Sequence, residues 1–248
     1  MPSVIFIPDV QAKRDKDVAI VKYDKYEYGA KRQWCIRSLV KVVKKANDNT
    51  PDLVNADIFL PFNSEKRDTY KRILIPAIAF WFSPEMYNGM TEYVKNGGLL
   101  ITNSIMNGID EDADYNRKGA KSFGKPGNPL VGVFGISTVQ MNKIMIKENS
   151  PLSEGLSSGD WIELETKTSG SQTQNRSATV LIISDSLYKN KPSRQQPFLT
   201  YKHLGKGACI YIVPAISVKN RFVFSILKNA LSKNTLEWLT AGEAVETH

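Results

Sequence analysis

The sequence contains few residues suited to nucleophilic or metal chemistry. It has two cysteines, Cys35 and Cys209, and two histidines, His203 and His248. Two cysteines provide no disulfide framework and cannot form a four-cysteine zinc site. Each cysteine lies in an apolar segment, the first on a predicted helix and the second in a predicted strand. We therefore predict that both are small core residues rather than nucleophiles.

Long hydrophobic runs are also absent from the sequence. No apolar segment approaches the roughly 20 residues that a membrane-spanning helix requires. The first residues, MPSVIFIPDVQ, contain a short apolar run without a basic flank, so they do not predict a signal peptide. We expect no membrane association, and the lack of a disulfide framework favours a cytoplasmic location.

The excess of basic residues does not indicate a nucleic-acid partner. The net charge is +8, from 33 lysine and arginine residues against 25 acidic residues. The basic residues are scattered instead of forming a stripe interleaved with stacking aromatics. The glycine-rich basic segment 118–129 lacks the G-x-x-x-x-G-K-[ST] pattern of a phosphate loop. We predict a solvated basic surface, no nucleic-acid partner and no cofactor.

The rest of the chain is organised around the stretch 70–102, which predicts a strand, a helix and a second strand. The apolar run 73–75 precedes a proline, as in a short buried strand. Ser83 is placed as a helix N-cap, with proline and glutamate in the first turn, and Gly97 begins a glycine pair that ends the helix. The apolar face of this helix comprises Met86, Met90, Tyr93 and Val94. A second apolar run at 99–101 completes a βαβ unit with parallel strands.

The remaining periodicity predicts an α/β domain. Further strands are predicted at 17–23, 56–60, 138–147, 161–164, 178–183, 198–203 and 208–213. Helices are predicted at 29–46, 129–134 and 217–239, and a flexible loop at 169–177. The predicted fold is a three-layer, open, mostly parallel sheet flanked by helices, with a late antiparallel hairpin. We expect an N-terminal strand or linker at 1–16, a single domain at 17–240 and a frayed tail at 241–248.

Five motifs follow one another in a recognisable order. They are YKRILIP at 70–76, LLIT at 99–102, GIDED at 108–112, NPLVGVFGI at 128–136 and HLGKGACIYI at 203–212. Their order resembles the middle, trimerisation domain of glycoside hydrolase family 42 beta-galactosidases, over about residues 18–239. The resemblance implies a flavodoxin-like fold of the class I glutamine-amidotransferase-like superfamily. It also implies a homo-oligomer, specifically a trimer, and association with a glycosidase barrel domain.

The turn after the second strand of the βαβ unit matches the position where this superfamily carries a nucleophilic cysteine. Open α/β sheets bind ligands at the carboxyl ends of their parallel strands. Here Asn103 stands at that position and Ser104 follows it. A serine nucleophile needs a general base, and the two histidines of the sequence are His203 and the last residue, His248. We predict that Asn103 and Ser104 satisfy backbone groups in a tight turn and that no catalytic residue stands there.

An acidic cluster follows this turn. It consists of Asp110, Glu111, Asp112 and Asp114. The three aspartates match the D-x-D-x-D start of a calcium loop, but the glycine is missing and Lys121 stands where the final glutamate is needed. We predict a solvated or interface loop rather than a metal site, with these aspartates as the candidate ligands if a cation does bind.

Three functional hypotheses follow. The preferred one is a non-catalytic, self-associating domain, in which Phe80, Trp81 and Phe82 are candidate subunit or inter-domain contacts. In that case the isolated chain is not an enzyme. The first alternative is a carbohydrate-active enzyme that uses Asp110, Glu111 and Asp112, because glycosidases need paired carboxylates. The second is a glycan-binding module that uses the pocket around 103–114, with the three aromatic residues as sugar platforms.

Overall fold

The structure is a computed structural model that describes residues 15–22, 36–76, 83–103, 130–156, 159, 161–175, 177–185, 187–188, 191–192, 195–212 and 220–241. Its strands are β1 Lys16–Lys22, β2 Asp52–Asn55, β3 Tyr70–Ile75, β4 Leu99–Thr102, β5 Val133–Ile146, β6 Trp161–Asn175, β7 Thr179–Ser184, β8 Leu187–Tyr188, β9 Lys191–Pro192, β10 Gln196–Leu204 and β11 Gly207–Ile212. Its helices are α1 Ile36–Asn47, α2 Ser64–Arg67, α3 Pro84–Lys95, α4 Arg221–Ala230 and α5 Lys233–Ala241.

Five strands form the parallel half of one sheet, in the order β2-β1-β3-β4-β11. β1 pairs in parallel with β2 and β3, and β4 lies parallel between β3 and β11. Numbered among themselves, these strands have the 2-1-3-4-5 order of flavodoxin-like folds. Most of their side chains are buried, as expected for a sheet covered on both faces. The predicted α/β fold is confirmed.

Antiparallel strands extend the sheet beyond β11. β10 pairs with β11 on one side and with β7 on the other, and β5 follows β7. β6 pairs with β5, and the short strands β8 and β9 complete the described sheet. The antiparallel hairpin predicted late in the chain is confirmed, since Leu204 at the end of β10 pairs with Gly207 at the start of β11.

Helices cover both faces of the sheet. On one face, the Tyr93 hydroxyl of α3 donates a hydrogen bond to the carbonyl oxygen of Tyr70 in β3, at 3.1 Å. On the other, α1 packs against α4, and α5 places the Trp238 ring 4.9 Å from the Tyr201 ring of β10. These contacts give the predicted arrangement of helix, sheet and helix layers.

The bounds of α3 follow from local signals in the sequence, as predicted. The Ser83 side chain accepts a hydrogen bond from the Met86 N–H at 3.2 Å, which caps the first turn. Gly97 has φ +93°, a conformation that other residues rarely adopt, and this lets the chain leave the helix. The predicted apolar face is also confirmed, since Met90, Tyr93 and Val94 are buried.

The strand predicted at 56–60 is wrong. The observed strand is β2, which ends at Asn55, and Ala56–Phe59 forms a 3-10 turn. Within this turn the Leu60 N–H donates to the Asp57 carbonyl oxygen at 2.9 Å. The apolar pair 58–59 therefore reaches the core from a turn, without pairing with a neighbouring strand.

One long ribbon overturns the helix predicted at 129–134 and the loop predicted at 169–177. β5 begins at Val133, whose register partner is Asn175 at the end of β6. Antiparallel pairing, with two register shifts, gives both strands backbone partners over most of their 14 and 15 residues. The strands predicted at 138–147 and 161–164 are parts of this longer ribbon. Pairing with β5 therefore outweighs the local polarity of β6.

The helix predicted at 217–239 is two helices. The Asn220 side chain caps α4 by accepting a hydrogen bond from the Phe222 N–H at 2.9 Å. The Ser232 hydroxyl accepts one from the Thr235 N–H at 3.1 Å, which starts α5. A second capping residue therefore divides the predicted helix. Of the helix predicted at 29–46, the structure describes residues 36–47 as α1. Of the predicted N-terminal segment 1–16 and tail 241–248, residues 1–14 and 242–248 lie outside the described residues, while Lys16 belongs to β1 and Ala241 to α5.

Candidate functional site

The carboxyl edge of the parallel strands holds the predicted site position. The Thr102 hydroxyl at the end of β4 donates to the Ile75 carbonyl oxygen at 3.1 Å, which joins the ends of β3 and β4. Asn103 follows directly and is 1% exposed. The flavodoxin-like strand order makes this edge the expected ligand-binding end of the sheet. The sequence therefore placed Asn103 at the correct end of the fold.

The first turn of α3 lies at the same edge, because β3 leads into it. The Leu130 N–H donates a hydrogen bond to the Tyr87 hydroxyl of α3 at 3.1 Å. Burial raises the pKa of Tyr87 to about 12, so this hydroxyl stays protonated at neutral pH. Leu130 therefore lies beside the start of α3.

Cys209 is a core residue, as predicted. It lies in β11 with 0% of its surface exposed. Burial raises the pKa of its thiol above the ordinary value, which leaves no thiolate for nucleophilic attack. Cys35, the other cysteine, lies outside the described residues.

His203 lies towards the opposite end of the sheet from Asn103. It pairs with Ala208 in the β10–β11 hairpin, and Ala208 pairs with Leu99 at the start of β4. At the usual rise of a strand, Leu99 and Asn103 are about 13 Å apart along β4. The His203 ring instead contacts the Tyr201 ring edge to face, with 5.4 Å between centroids. The fold does not bring this histidine to Asn103.

The other predicted site residues lie outside the described part of the chain. They are Phe80, Trp81, Phe82, Ser104, Asp110, Glu111, Asp112 and Asp114. Their roles stay predictions. Among the residues that the structure does describe, no three histidine, cysteine, aspartate or glutamate side chains are grouped to hold a metal ion.

A polar network at the opposite, amino edge of the sheet was missed by the sequence analysis. Arg72 of β3 is 3% exposed, pairs with the Asp17 carboxylate of β1, and donates to the Ser232 carbonyl oxygen at 2.9 Å. The Asn47 amide donates to the other Asp17 oxygen at 2.7 Å. Burial lowers the pKa of Arg72, while the charge of Asp17 opposes that shift. The available signal was an arginine within an apolar strand, which demands a partner.

A second set of contacts lies beside this network. The Tyr70 hydroxyl donates to the Asp52 carboxylate at 2.8 Å, and the Lys16 ammonium pairs with the same oxygen at 3.2 Å. The hydrogen bond from Tyr70 is the main cause that lowers the pKa of Asp52. The two sets of contacts link the amino ends of β1, β2 and β3. We therefore interpret these residues as stabilising the fold.

Comparison with known families identifies the chain. The family profile described as the beta-galactosidase trimerisation domain matches residues 17–237. The chain belongs to this family. The matched part of this trimerisation domain includes the βαβ unit, the antiparallel half of the sheet, all of α4 and the first five residues of α5. The resemblance inferred from the sequence motifs is confirmed.

Solved structures show the same fold at low sequence identity. A GH42 beta-galactosidase from G. stearothermophilus is 20% identical with a TM-score of 0.51, and the match covers 81% of the trimerisation domain and 27% of that chain. A putative ThuA-like protein from Bacteroides uniformis is 13% identical with a TM-score of 0.58, covering 89% and 91% of the two chains. A cytoplasmic protein from Salmonella typhimurium is 19% identical with a TM-score of 0.54, covering 90% and 98%.

These likenesses confirm the α/β fold of the trimerisation domain, in which helices flank a single mixed sheet. The chain spans only 27% of the G. stearothermophilus beta-galactosidase. No curated protein matches its sequence. Within the described residues, no helix combines the length and the apolar character needed to cross a membrane.

Proposed function

We propose that this chain is a non-catalytic domain that self-associates, as a trimer, beside the catalytic domain of a glycoside hydrolase. The observation that carries the proposal is the family match over residues 17–237. In this proposal the hydrolytic activity resides in a separate barrel domain, and the present chain supplies the contacts between subunits. Phe80, Trp81 and Phe82 remain candidate contacts with another subunit or with that barrel.

Three features support a non-catalytic role. Asn103 stands where the superfamily places its cysteine, and an amide does not act as a nucleophile. Cys209 is buried with a protonated thiol. His203 lies about 13 Å along the sheet from Asn103, too far to accept a proton from a side chain at that position.

The outer edge of β6 is the best-supported surface for self-association. β6 is 15 residues long and pairs along one edge with β5, and no described strand pairs with its other edge. Its last part, residues 168–175, contains no charged residue and no proline. Charge, proline and short length are the usual protections of an edge strand. By contrast, β2 at the far side of the sheet has only four residues.

An exposed tryptophan lies at the start of this edge. Trp161 is the first residue of β6 and is 40% exposed. Tryptophan is enriched among residues that anchor protein interfaces, because it buries a large apolar area on contact. Phe62 is even more exposed, at 77%, but it lies on the turn that follows β2 and so provides a matched control.

The test compares Trp161→Ala with Phe62→Ala in sedimentation velocity at equal concentration. We expect Trp161→Ala to lower the association constant of the oligomer by at least about tenfold, as loss of an interface anchor does. Phe62→Ala is expected to leave the association constant unchanged. If Phe62→Ala dissociates the oligomer instead, the surface is on the β2 side. If wild type sediments as a monomer throughout, self-association itself is wrong.

A catalytic alternative rests on the carboxylates at 110–112. Glycosidases use two carboxylates about 5 to 10 Å apart, and Glu111 is the candidate acid or base. Glu111→Gln tests this alternative against a galactoside substrate panel. We expect no turnover by wild type, whereas turnover that this substitution abolishes would make the chain an enzyme.

A further inference from the structure

Hydroxyl-bearing side chains lie side by side on three adjacent strands at the carboxyl edge. Tyr211 of β11 is in register with Thr102 of β4 on one side and with Thr200 of β10 on the other. Residues paired directly across strands project from the same face of a sheet. With strands about 4.8 Å apart, the three residues span about 10 Å. We call Thr102, Tyr211 and Thr200 the hydroxyl row.

Two hydroxyls of the row have no hydrogen-bond partner among the described residues. Thr200 Oγ1 and the Tyr211 hydroxyl make no such bond, although both residues are 0% exposed. Ser184 of β7 is another such hydroxyl, but it pairs with Gln196, four residues and about 13 Å along β10 from Thr200, and so lies apart from the row. Buried polar groups are nearly always hydrogen bonded. Two exceptions that lie side by side on adjacent strands therefore indicate a common partner at this edge.

The chemistry of these groups restricts that partner. Threonine and serine hydroxyls are neutral, and burial raises the pKa of Tyr211 above its ordinary value, so it stays a neutral donor. Burying an ion beside them would cost its hydration without supplying an opposite charge. A ligand that carries several neutral hydroxyl groups can donate to and accept from both Thr200 and Tyr211.

We propose that the hydroxyl row binds a small neutral polyol such as a monosaccharide. This function is separate from self-association, since β4, β10 and β11 lie inside the sheet and β6 lies at its border. The site also needs none of the acidic residues at 110–114. The ligand is held by hydroxyl groups alone, at the end of the sheet where flavodoxin-like folds place their ligands.

Isosteric variants separate a ligand site from an ordinary core. Thr200→Val and Tyr211→Phe each remove one hydroxyl and keep the shape of the side chain. Because these hydroxyls have no described partner, we expect an unchanged or higher melting temperature without ligand. Thr235→Val is the matched control, since Thr235 is also 0% exposed but its hydroxyl accepts a hydrogen bond from Ser232 at 3.2 Å. This control is expected to melt at a lower temperature than wild type.

The ligand test uses galactose, inositol and glycerol at millimolar concentration, with inorganic phosphate as an anionic probe, in scanning and titration calorimetry. We expect at least one polyol to raise the melting temperature of wild type and of Thr235→Val. The same polyol should bind Thr200→Val and Tyr211→Phe at least about tenfold more weakly. The proposal is overturned if no polyol binds wild type, if phosphate alone binds, or if the variants bind as wild type does. It is also overturned if Thr200→Val and Tyr211→Phe melt lower without ligand, as the control does.

Discussion

Arg72 holds together three parts of the fold that are far apart in sequence. Its guanidinium group reaches from β3 to the Asp17 carboxylate of β1 and to the Ser232 carbonyl oxygen between α4 and α5. The Arg72 side chain is 4% exposed and the Asp17 side chain is 26% exposed, so both are largely shielded from water. A buried charge is stable only when it is paired. Removing either Arg72 or Asp17 therefore leaves the other charge buried without a partner, which destabilises the folded state.

Arg72→Met should therefore destabilise the protein strongly. Methionine fills much of the same space, but it leaves Asp17 and the Ser232 carbonyl without their donor. We expect a loss of about 2 to 3 kcal/mol in the free energy of unfolding, below the usual cost of a fully buried pair because Asp17 keeps some water contact. Urea denaturation measures this difference.

Lys16→Met provides the control for charge. The Lys16–Asp52 pair is half exposed on both sides, and such pairs contribute less than about 1 kcal/mol. Equal losses for the two variants would show that burial of the Arg72 pair has no special importance.

Asn103 and the hydroxyl row show what the sequence reveals about the site. Asn103 follows the LLIT strand segment at 99–102, so its place at the carboxyl edge could be predicted from local pattern. Thr102, Thr200 and Tyr211 come together only because β4, β11 and β10 are neighbours in the sheet. The β10–β11 hairpin was predicted from the sequence, but the pairing of β4 with β11 joins segments about 100 residues apart in the chain, and no local signal specifies it.

The β10–β11 hairpin and α3 fit together through backbone contacts. The Lys206 N–H in the hairpin turn donates to the Lys95 carbonyl oxygen at the end of α3, at 2.9 Å. At Gly207 an added Cβ would lie 2.3 Å from the Gly98 carbonyl oxygen and 2.4 Å from that of Val94. Glycine is required here for close approach, and the two backbones cannot move apart without breaking sheet pairing.

Gly207→Ala is expected to destabilise the protein by about 2 to 3 kcal/mol, because the methyl group overlaps backbone atoms rather than flexible side chains. Gly155→Ala is the control. Nothing lies within 4 Å of an added Cβ there, so only the strain of its φ of +76° applies, about 1 kcal/mol. Thermal and urea unfolding of both variants measure the contrast. A smaller loss for Gly207→Ala than for Gly155→Ala would contradict the contact described above.

Elements differ in how far the sequence specifies them. The β3-α3-β4 unit carries its own signals, namely a serine cap, a proline at the first helical position and a left-handed glycine, so its bounds were predicted closely. The polar end of β6 has no such signals and becomes a strand because β5 supplies its hydrogen-bond partners. The break between α4 and α5 depends on a single capping serine, Ser232, which the apolar periodicity conceals.

At the scale of the whole molecule, net charge and self-association act against each other. Each chain carries a charge of +8, so copies repel one another at low ionic strength. An uncharged edge such as residues 168–175 is a surface where two copies can meet without bringing like charges together. Salt shortens the range of the repulsion, and it should therefore favour the assembled state.

The molar mass in solution tests the account most directly. We propose multi-angle light scattering of the wild-type chain after size exclusion, at tens of micromolar and at low and moderate salt. One chain has a mass of 27.8 kDa. The account predicts a mass of three chains, with the trimer fraction rising with protein concentration and with salt. A mass of 27.8 kDa at every concentration and at both salt levels would contradict it.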